Sequence, residues 1–212
     1  EFALESFLNS NKRFVIVEAG TGVGKSAIGF TVARYLTENT AVANNSTFTS
    51  AAYYLTTQKI LQKQYMSDFK KSGMLSLKSS SNYRCKYFKT KTCQEARREL
   101  KASSDDRFKA SCASGCHYVA DKNKFINGYH GVTNFPYFLT EINHSGHLPP
   151  RKVMVIDECH NVELEMSKFV EVSFTEHFAK SVLKLTVPDL ITQFQVVKWV
   201  KDFYMPKLSQ VR

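Results

Sequence analysis

Apolar and polar positions alternate along this chain in blocks that switch between strand and helix periods. Arg13–Glu18 (RFVIVE) is β-rich and runs into a glycine turn, Ala19–Ser26. Over Lys25–Glu38 the apolar residues Ile28, Val32 and Leu36 recur every four positions, which places them on one face of a helix. Polar, Asn-rich Glu38–Thr49 predicts a loop or a weakly ordered edge. Ala51–Thr57 (AAYYLTT) predicts a buried strand, and Gln58–Lys70 a helix with Ile60, Leu61, Tyr65 and Phe69 on one face. A long polar stretch then reads as an insertion, not another βα unit. The pattern resumes at Gly131–Thr133, followed by a helical stretch Pro136–Ile142. Pro149-Pro150 ends a loop, and Lys152–Ile156 (KVMVI) is an apolar strand leading into Asp157. Alternating strands and helices predict an α/β fold, a parallel sheet with right-handed crossovers. The tail differs: Phe174–Leu185 and Asp189–Tyr204 predict helices, the second bounded by Pro188 and Pro206. No internal repeat or low-complexity tract is present.

Composition narrows the class. At 212 residues, 43% hydrophobic and 23% charged, the chain can bury a core, and wholesale disorder is excluded. One domain plus an appendage is expected. No apolar run approaches the roughly 20 residues needed to span a bilayer. No secretory leader precedes the first strand, and a start at Glu1 is expected to lack the natural beginning. The net charge of +10 suits a polyanion. Its location says more. Twelve basic and five acidic residues lie between Lys78 and Phe125, so most of the excess sits there, with four of the five cysteines. Without a leader, those cysteines argue against a disulfide framework and for an intracellular protein, cytoplasmic or nuclear.

Two motifs carry chemistry. Ala19-Gly20-Thr21-Gly22-Val23-Gly24-Lys25-Ser26 lies between a strand and a helix. Its glycines let backbone N–H groups turn inward around phosphates, where the helix N-terminus adds positive potential. Lys25 would reach the β- and γ-phosphates of ATP, and Ser26 would offer its hydroxyl to Mg²⁺. Alanine stands where the simplest pattern has its first glycine. The bland alternative is a ligand-free glycine turn. At the far end of the KVMVI strand, Asp157 and Glu158 put two carboxylates at the sheet edge where ligands bind. Asp157 would hold Mg²⁺ through water, and Glu158 would polarise the attacking water. Solvated charges capping a strand are the alternative. Cys159 reads as a packing residue and His160 as polar coupling at the site.

Cys85, Cys93, Cys112 and Cys116 form a third constellation. Four thiolates suit tetrahedral zinc or a [4Fe–4S] cluster. Only Cys112 and Cys116 have the short spacing of a zinc knuckle, and the long uneven gaps favour a cluster. A metal centre would replace an apolar core in a segment this polar. Tyr83, Tyr87, Phe88, Phe108, Tyr118 and Phe125 interleave with the basic residues, either stacking on bases or packing around the metal.

In order, EAGTGVGKS (Glu18–Ser26), LTTQKILQKQ (Leu55–Gln64), the four cysteines, VTNFPYFL (Val132–Leu139) and VIDECHNVE (Val155–Glu163) resemble the iron–sulfur superfamily 2 DNA helicases, the XPD/DinG group. The resemblance covers about residues 4 to 165. It implies a RecA-like ATPase domain (1–77 and 126–173), a [4Fe–4S] domain (78–125) and the start of a helical arch (174–212). It also implies 5′→3′ translocation on single-stranded DNA and strand separation at duplex junctions. Thr56, Thr57, Gln58 and Gln62 would lie along the DNA track, and Asn134 matches an asparagine of open role. Cys159 replaces the usual alanine of the acidic motif. The adenine-contacting glutamine would lie upstream of Glu1, and no second RecA domain follows, so the chain is expected to be the first half of a helicase. A P-loop nucleoside or nucleotide kinase would need neither four cysteines nor an Asp-Glu-x-His strand end. A non-enzymatic nucleic-acid-binding metal module would need neither Lys25 nor Glu158.

Overall fold

The structure, a computed structural model, describes residues 2–9, 12–20, 22–39, 47–100, 105–145, 147–170 and 175–210. Contacts group the chain into two compact units, Glu1–Phe169 and Val170–Arg212.

In the first unit, α1 (Phe2–Asn9) and α2 (Lys25–Asn39) precede β1 (Thr49–Thr56), α3 (Lys59–Phe69) and β2 (Met74–Ser76). Then come α4 (Cys93–Leu100), α5 (Asp106–Ser114), α6 (His117–Asn127), β3 (His130–Asn134), α7 (Phe135–Thr140), β4 (Arg151–Ile156) and α8 (Val162–Val170). The strands are all parallel, in the order β2-β3-β1-β4. β1 is central, and its run Ala51–Thr56 is buried, as expected of a strand covered on both faces. Its alternate residues split between two cores. Ala52 and Tyr54 join Phe30, Ala33 and Leu36 of α2, Tyr65 of α3 and Val153 of β4. Tyr53 and Leu55 join Tyr118 and Phe125 of α6 and Tyr137, Phe138 and Leu139 of α7. The result is a three-layer α/β/α sandwich.

Two sequence expectations need correction. Arg13–Glu18 is not a strand: Lys12–Gly20 is irregular, and Phe14 and Ile16 are 79% and 82% exposed. A β-rich run becomes a strand only when a neighbour takes up its N–H and C=O groups, and no described residue does so. Nor does the cysteine segment interrupt the βα alternation. With α4, α5 and α6 it forms the crossover between parallel β2 and β3, and its Leu77, Cys93, Tyr118 and Phe125 belong to the sheet's own core. At three residues, β2 is too short to leave a hydrophobic pattern.

The second unit contains α9 (Glu176–Ser181), α10 (Gln193–Trp199), a π-turn at Val200–Tyr204 and α11 (Met205–Gln210) around Leu183, Trp199 and Tyr204. The helix expected from Asp189 starts only at Gln193. Thr192 is its N-cap: the hydroxyl accepts from Gln195 N–H, and the Gln195 side chain accepts from Thr192 N–H. Phe174, the expected start of the preceding helix, lies outside the described residues.

Gly29 of α2 faces β4 so closely that an added Cβ would stand 2.8 Å from Val155 Cγ1. Gly29→Ala therefore sets a helix-propensity gain of about 1 kcal/mol against overpacking of about 1–3 kcal/mol, with β-branched Val155 slow to yield. The expected outcome is net destabilisation in urea denaturation; a more stable variant would show that the contact yields freely.

Candidate active site

The phosphate loop is set by backbone conformation. Gly22 and Gly24 have φ of 79° and 82°, the left-handed region that glycine enters freely. Nothing lies within 4 Å of a Cβ built on Gly20 or Gly22, so both glycines border open space. Thr21 lies outside the described residues. Gly24 C=O accepts the first turn's hydrogen bond from Ile28 N–H at 3.0 Å, which starts α2 at Lys25 and directs its N-terminal N–H groups at the loop. This cradle suits a polyphosphate.

The acidic residues meet it at the end of β4. Asp157 N–H donates to Leu55 C=O at 2.9 Å, which ties the carboxylate to central β1. Its Oδ2 accepts from Ser26 Oγ at 3.5 Å, and its Oδ1 accepts from Glu158 N–H at 3.1 Å. Glu158 adopts φ 54°, a left-handed conformation that costs a non-glycine residue about 1–2 kcal/mol. The turn brings Glu158 Oε1 within 3.5 Å of Lys25 Nζ, while Oε2 is 3.4 Å from His160 Nδ1. Lys25 Nζ also donates to Ala19 C=O at 3.4 Å. Lys25 and Glu158 are each about one-third exposed, so their pairing is weak enough for a phosphate to replace it. Ser26 and Asp157 offer an oxygen-only donor pair, the kind Mg²⁺ selects. Tyr65, buried on α3, stands behind them; burial first, then the Asp157 charge, pushes its phenol up.

Thus Lys25, Ser26, Asp157, Glu158 and His160 converge. The expected DNA track does not hold together. Thr56 and Gln62 are fully buried. Thr56 Oγ1 donates to Gln58 C=O, and Gln62 Nε2 donates to Ser76 Oγ and Leu77 C=O, fastening α3 to the strand ends. Their polar groups serve the fold because backbone carbonyls at that depth need donors. Thr57 is half-buried and Gln58 exposed. Asn134 is the N-cap of α7, its Oδ1 accepting from Tyr137 N–H at 2.9 Å.

Two of the four cysteines, Cys112 and Cys116, line one cleft, and Cys93 reaches Cys116. Cys93 Sγ and Cys116 Sγ are 3.6 Å apart, and Cys112 and Cys116 line a hollow of about 380 Å³ with Arg97 and Lys109. Burial and the hydrogen bond with Cys116 push the Cys93 thiol up to about 12, so a metal would have to displace its proton. Burial first, then the Cys116 and Cys85 thiols, pushes the Cys112 thiol up. The donor chemistry suits a thiolate-bound centre, and the two cations would offset its charge. The geometry is not that of an assembled site: among the described residues, no three His, Cys, Asp or Glu side chains stand close enough to hold a metal ion. Of the six interleaved aromatics, only Tyr87 is exposed, and its hydroxyl donates to Asp105 at 2.7 Å. Phe108, Tyr118 and Phe125 are buried packing residues, which removes them as base-stacking platforms.

A phosphate cradle at a helix start, facing two carboxylates at the end of a parallel strand, defines a superfamily 2 helicase-like ATP-binding domain. The chain belongs to the ResIII family, described as type III restriction enzyme, res subunit, whose model matches residues 1–187. Comparison with curated proteins and with solved structures returns no match. Among the described residues, no helix is long and apolar enough to cross a membrane.

In Glu158→Gln, Lys25 loses its carboxylate partner and the phosphates lose a negative neighbour. ATP should bind several-fold more tightly, while hydrolysis falls by at least roughly 100-fold. ATP titration and steady-state phosphate release measure the two; parental turnover would remove Glu158 from water activation.

Proposed function

We propose that this chain is the ATP-hydrolysing part of a DNA helicase that translocates on single-stranded DNA. The carrying observation is the convergence of Ser26 and Asp157 at 3.5 Å beside Lys25 and Glu158, under an open phosphate loop. With ATP bound, the loop N–H groups and Lys25 hold the phosphates. Ser26 and Asp157 would hold Mg²⁺, which would supply charge neutralisation to the phosphates. Glu158 is then released from Lys25 and orients the attacking water. His160 links Glu158 to the nucleic-acid side of the site.

Nucleic acid is held by the basic crossover and by Thr57 and Gln58 at the sheet's C-terminal edge. Arg97 and Arg98 line a surface hollow with Ser80 and Gln94, which supports this face as the anionic partner's site. We place the protein inside the cell, in the XPD/DinG group, moving 5′→3′ toward duplex junctions, with residues 174–212 beginning an arch. In this reading Cys85, Cys93, Cys112 and Cys116 close around a [4Fe–4S] cluster. The 3.6 Å approach of Cys93 to Cys116, and the cleft where Cys112 and Cys116 meet Arg97 and Lys109, support that reading.

DNA-stimulated ATP hydrolysis by the intact protein, abolished in Lys25→Ala, tests the function. Phosphate transfer to a nucleoside would instead make it a kinase, and DNA binding without hydrolysis would make it a binding module. Charge reversal at Arg97 and Arg98 should flatten the salt dependence of DNA binding by roughly two units of slope; an unchanged slope would place those cations in solvent.

The metal reading has its own test. Anaerobically purified protein should be brown, with about four irons per chain, absorbance from thiolate-to-iron charge transfer, and no stoichiometric zinc. One zinc in a colourless protein would make this a structural Cys₄ site. Cys159→Ala should leave the metal content unchanged.

A further inference from the structure

We infer that Asn161 is a positioning residue of the ATPase site: its side-chain amide donates to His160 Nε2, which keeps the imidazole proton on Nδ1 and turned toward Glu158. This rests on the reading of Glu158 as the residue that orients the attacking water. Asn161 follows the acidic pair and carries none of its chemistry, yet the turn after β4 sets it against His160. Cys159–Asn161 is one short 3₁₀ turn between Glu158 and α8. Asn161 N–H donates to Glu158 C=O at 3.0 Å, so the residue is folded back onto the backbone of the carboxylate. Its Nδ2 stands 3.0 Å from His160 Nε2. On the other side of the ring, Nδ1 stands 3.4 Å from Glu158 Oε2. The His160 side chain is 70% exposed, so packing does not orient the ring and these two contacts must.

The direction of each bond follows from the donors. A neutral imidazole has one donor nitrogen and one acceptor. The Glu158 carboxylate only accepts, so the nitrogen facing it, Nδ1, carries the proton. A bare Nδ1 would set two acceptors against each other. Nε2 is then the acceptor, and the Asn161 amide supplies its donor. The bond made at one ring nitrogen thus decides whether the other keeps its proton. The two oxygens of Glu158 have separate partners, Oε1 with Lys25 at 3.5 Å and Oε2 with His160. When a phosphate draws Lys25 away, Oε1 is freed to accept from the attacking water, while His160 Nδ1–H still holds Oε2. Without that hold, the carboxylate, about one-third exposed, would turn about its side-chain bonds. Asn161 touches neither water nor phosphate in this arrangement; it acts through His160.

Histidine-¹⁵N-labelled protein without nucleotide, at about pH 8 where histidines are ordinarily neutral, reports the tautomer in long-range proton–nitrogen spectra. The His160 signals, identified by their loss in His160→Ala, should show a protonated Nδ1 and a bare Nε2. Asn161→Ala keeps the backbone turn, since Asn161 is not among the residues of positive φ. It should move the proton to Nε2, the form an unconstrained histidine prefers. In the same variant, kcat for DNA-stimulated ATP hydrolysis should fall roughly three- to tenfold, with KM for ATP unchanged. The His160→Ala/Asn161→Ala double variant should be no slower than His160→Ala alone, because the asparagine acts through the ring. A parent His160 protonated on Nε2 overturns the inference. So does an unaltered tautomer in Asn161→Ala, a loss confined to KM, or strict additivity with His160→Ala. If the tautomer is as inferred but Glu158→Gln hydrolyses ATP at the parental rate, the reading of Glu158 beneath the inference is what fails.

Discussion

Helix α2 lies on β4 at a distance that only Gly29 permits, since a methyl group there would stand 2.8 Å from Val155 Cγ1. The rest of the site depends on this approach. Ser26 is three residues before Gly29 and Asp157 two residues after Val155, so the contact sets how far apart hydroxyl and carboxylate can be. A helix backed off by one methyl would leave the phosphate loop intact but separate the two oxygens meant for one cation. Glycine in mid-helix costs about 1 kcal/mol relative to alanine. Here that cost is offset by burial against β4 and by the geometry it allows.

The sheet supplies the other half of the constraint. β1 is covered on both faces, and Leu55 C=O accepts from Asp157 N–H, so the carboxylate is referenced to the buried central strand. Glu158 then leaves the strand in a left-handed turn that no strand pairing could accommodate. Strain at this residue aims its carboxylate at Lys25. A relaxed, extended Glu158 would carry the side chain to the opposite face of the sheet.

Elements with strong local periodicity were legible from sequence: α2, β1, α3 and β4 follow Ile28/Val32/Leu36, AAYYLTT, Leu61/Tyr65/Phe69 and KVMVI, although Ile60, expected on the same face of α3, is exposed. The converging residues Lys25, Ser26, Asp157 and Glu158 were legible too, because phosphate and cation chemistry restricts residue type at fixed spacing. What failed depended on distant partners. RFVIVE has strand composition but no described neighbour to pair with. Gln62 and Thr56 are polar residues at a motif, yet carbonyls of Leu77, of Val132 in β3 and of Gln58 at the α3 N-terminus claim their donors.

The cysteine crossover shows how a charged segment can share a core without being apolar. Arg151, at the start of β4, is 6% exposed and has no carboxylate partner among the described residues. Its guanidinium lies 4.2 Å over the Tyr53 ring and 5.3 Å from that of Phe125. It donates to Ala52 C=O at 2.8 Å and to Phe125 and Ile126 C=O in the last turn of α6. Those carbonyls carry the negative end of the helix dipole, so the cation is stabilised there without an acid. Gly131 makes room, since a Cβ on it would lie 2.8 Å from Arg151 Nη1. At the other end of the same helix, Cys116 is the N-cap, 3.6 Å from Cys93. One helix therefore runs from the thiol cleft to the first residue of β4, and β4 runs from there to Asp157. Arg151 thus joins the last turn of α6, whose N-cap is Cys116, to the start of the strand that ends before Asp157.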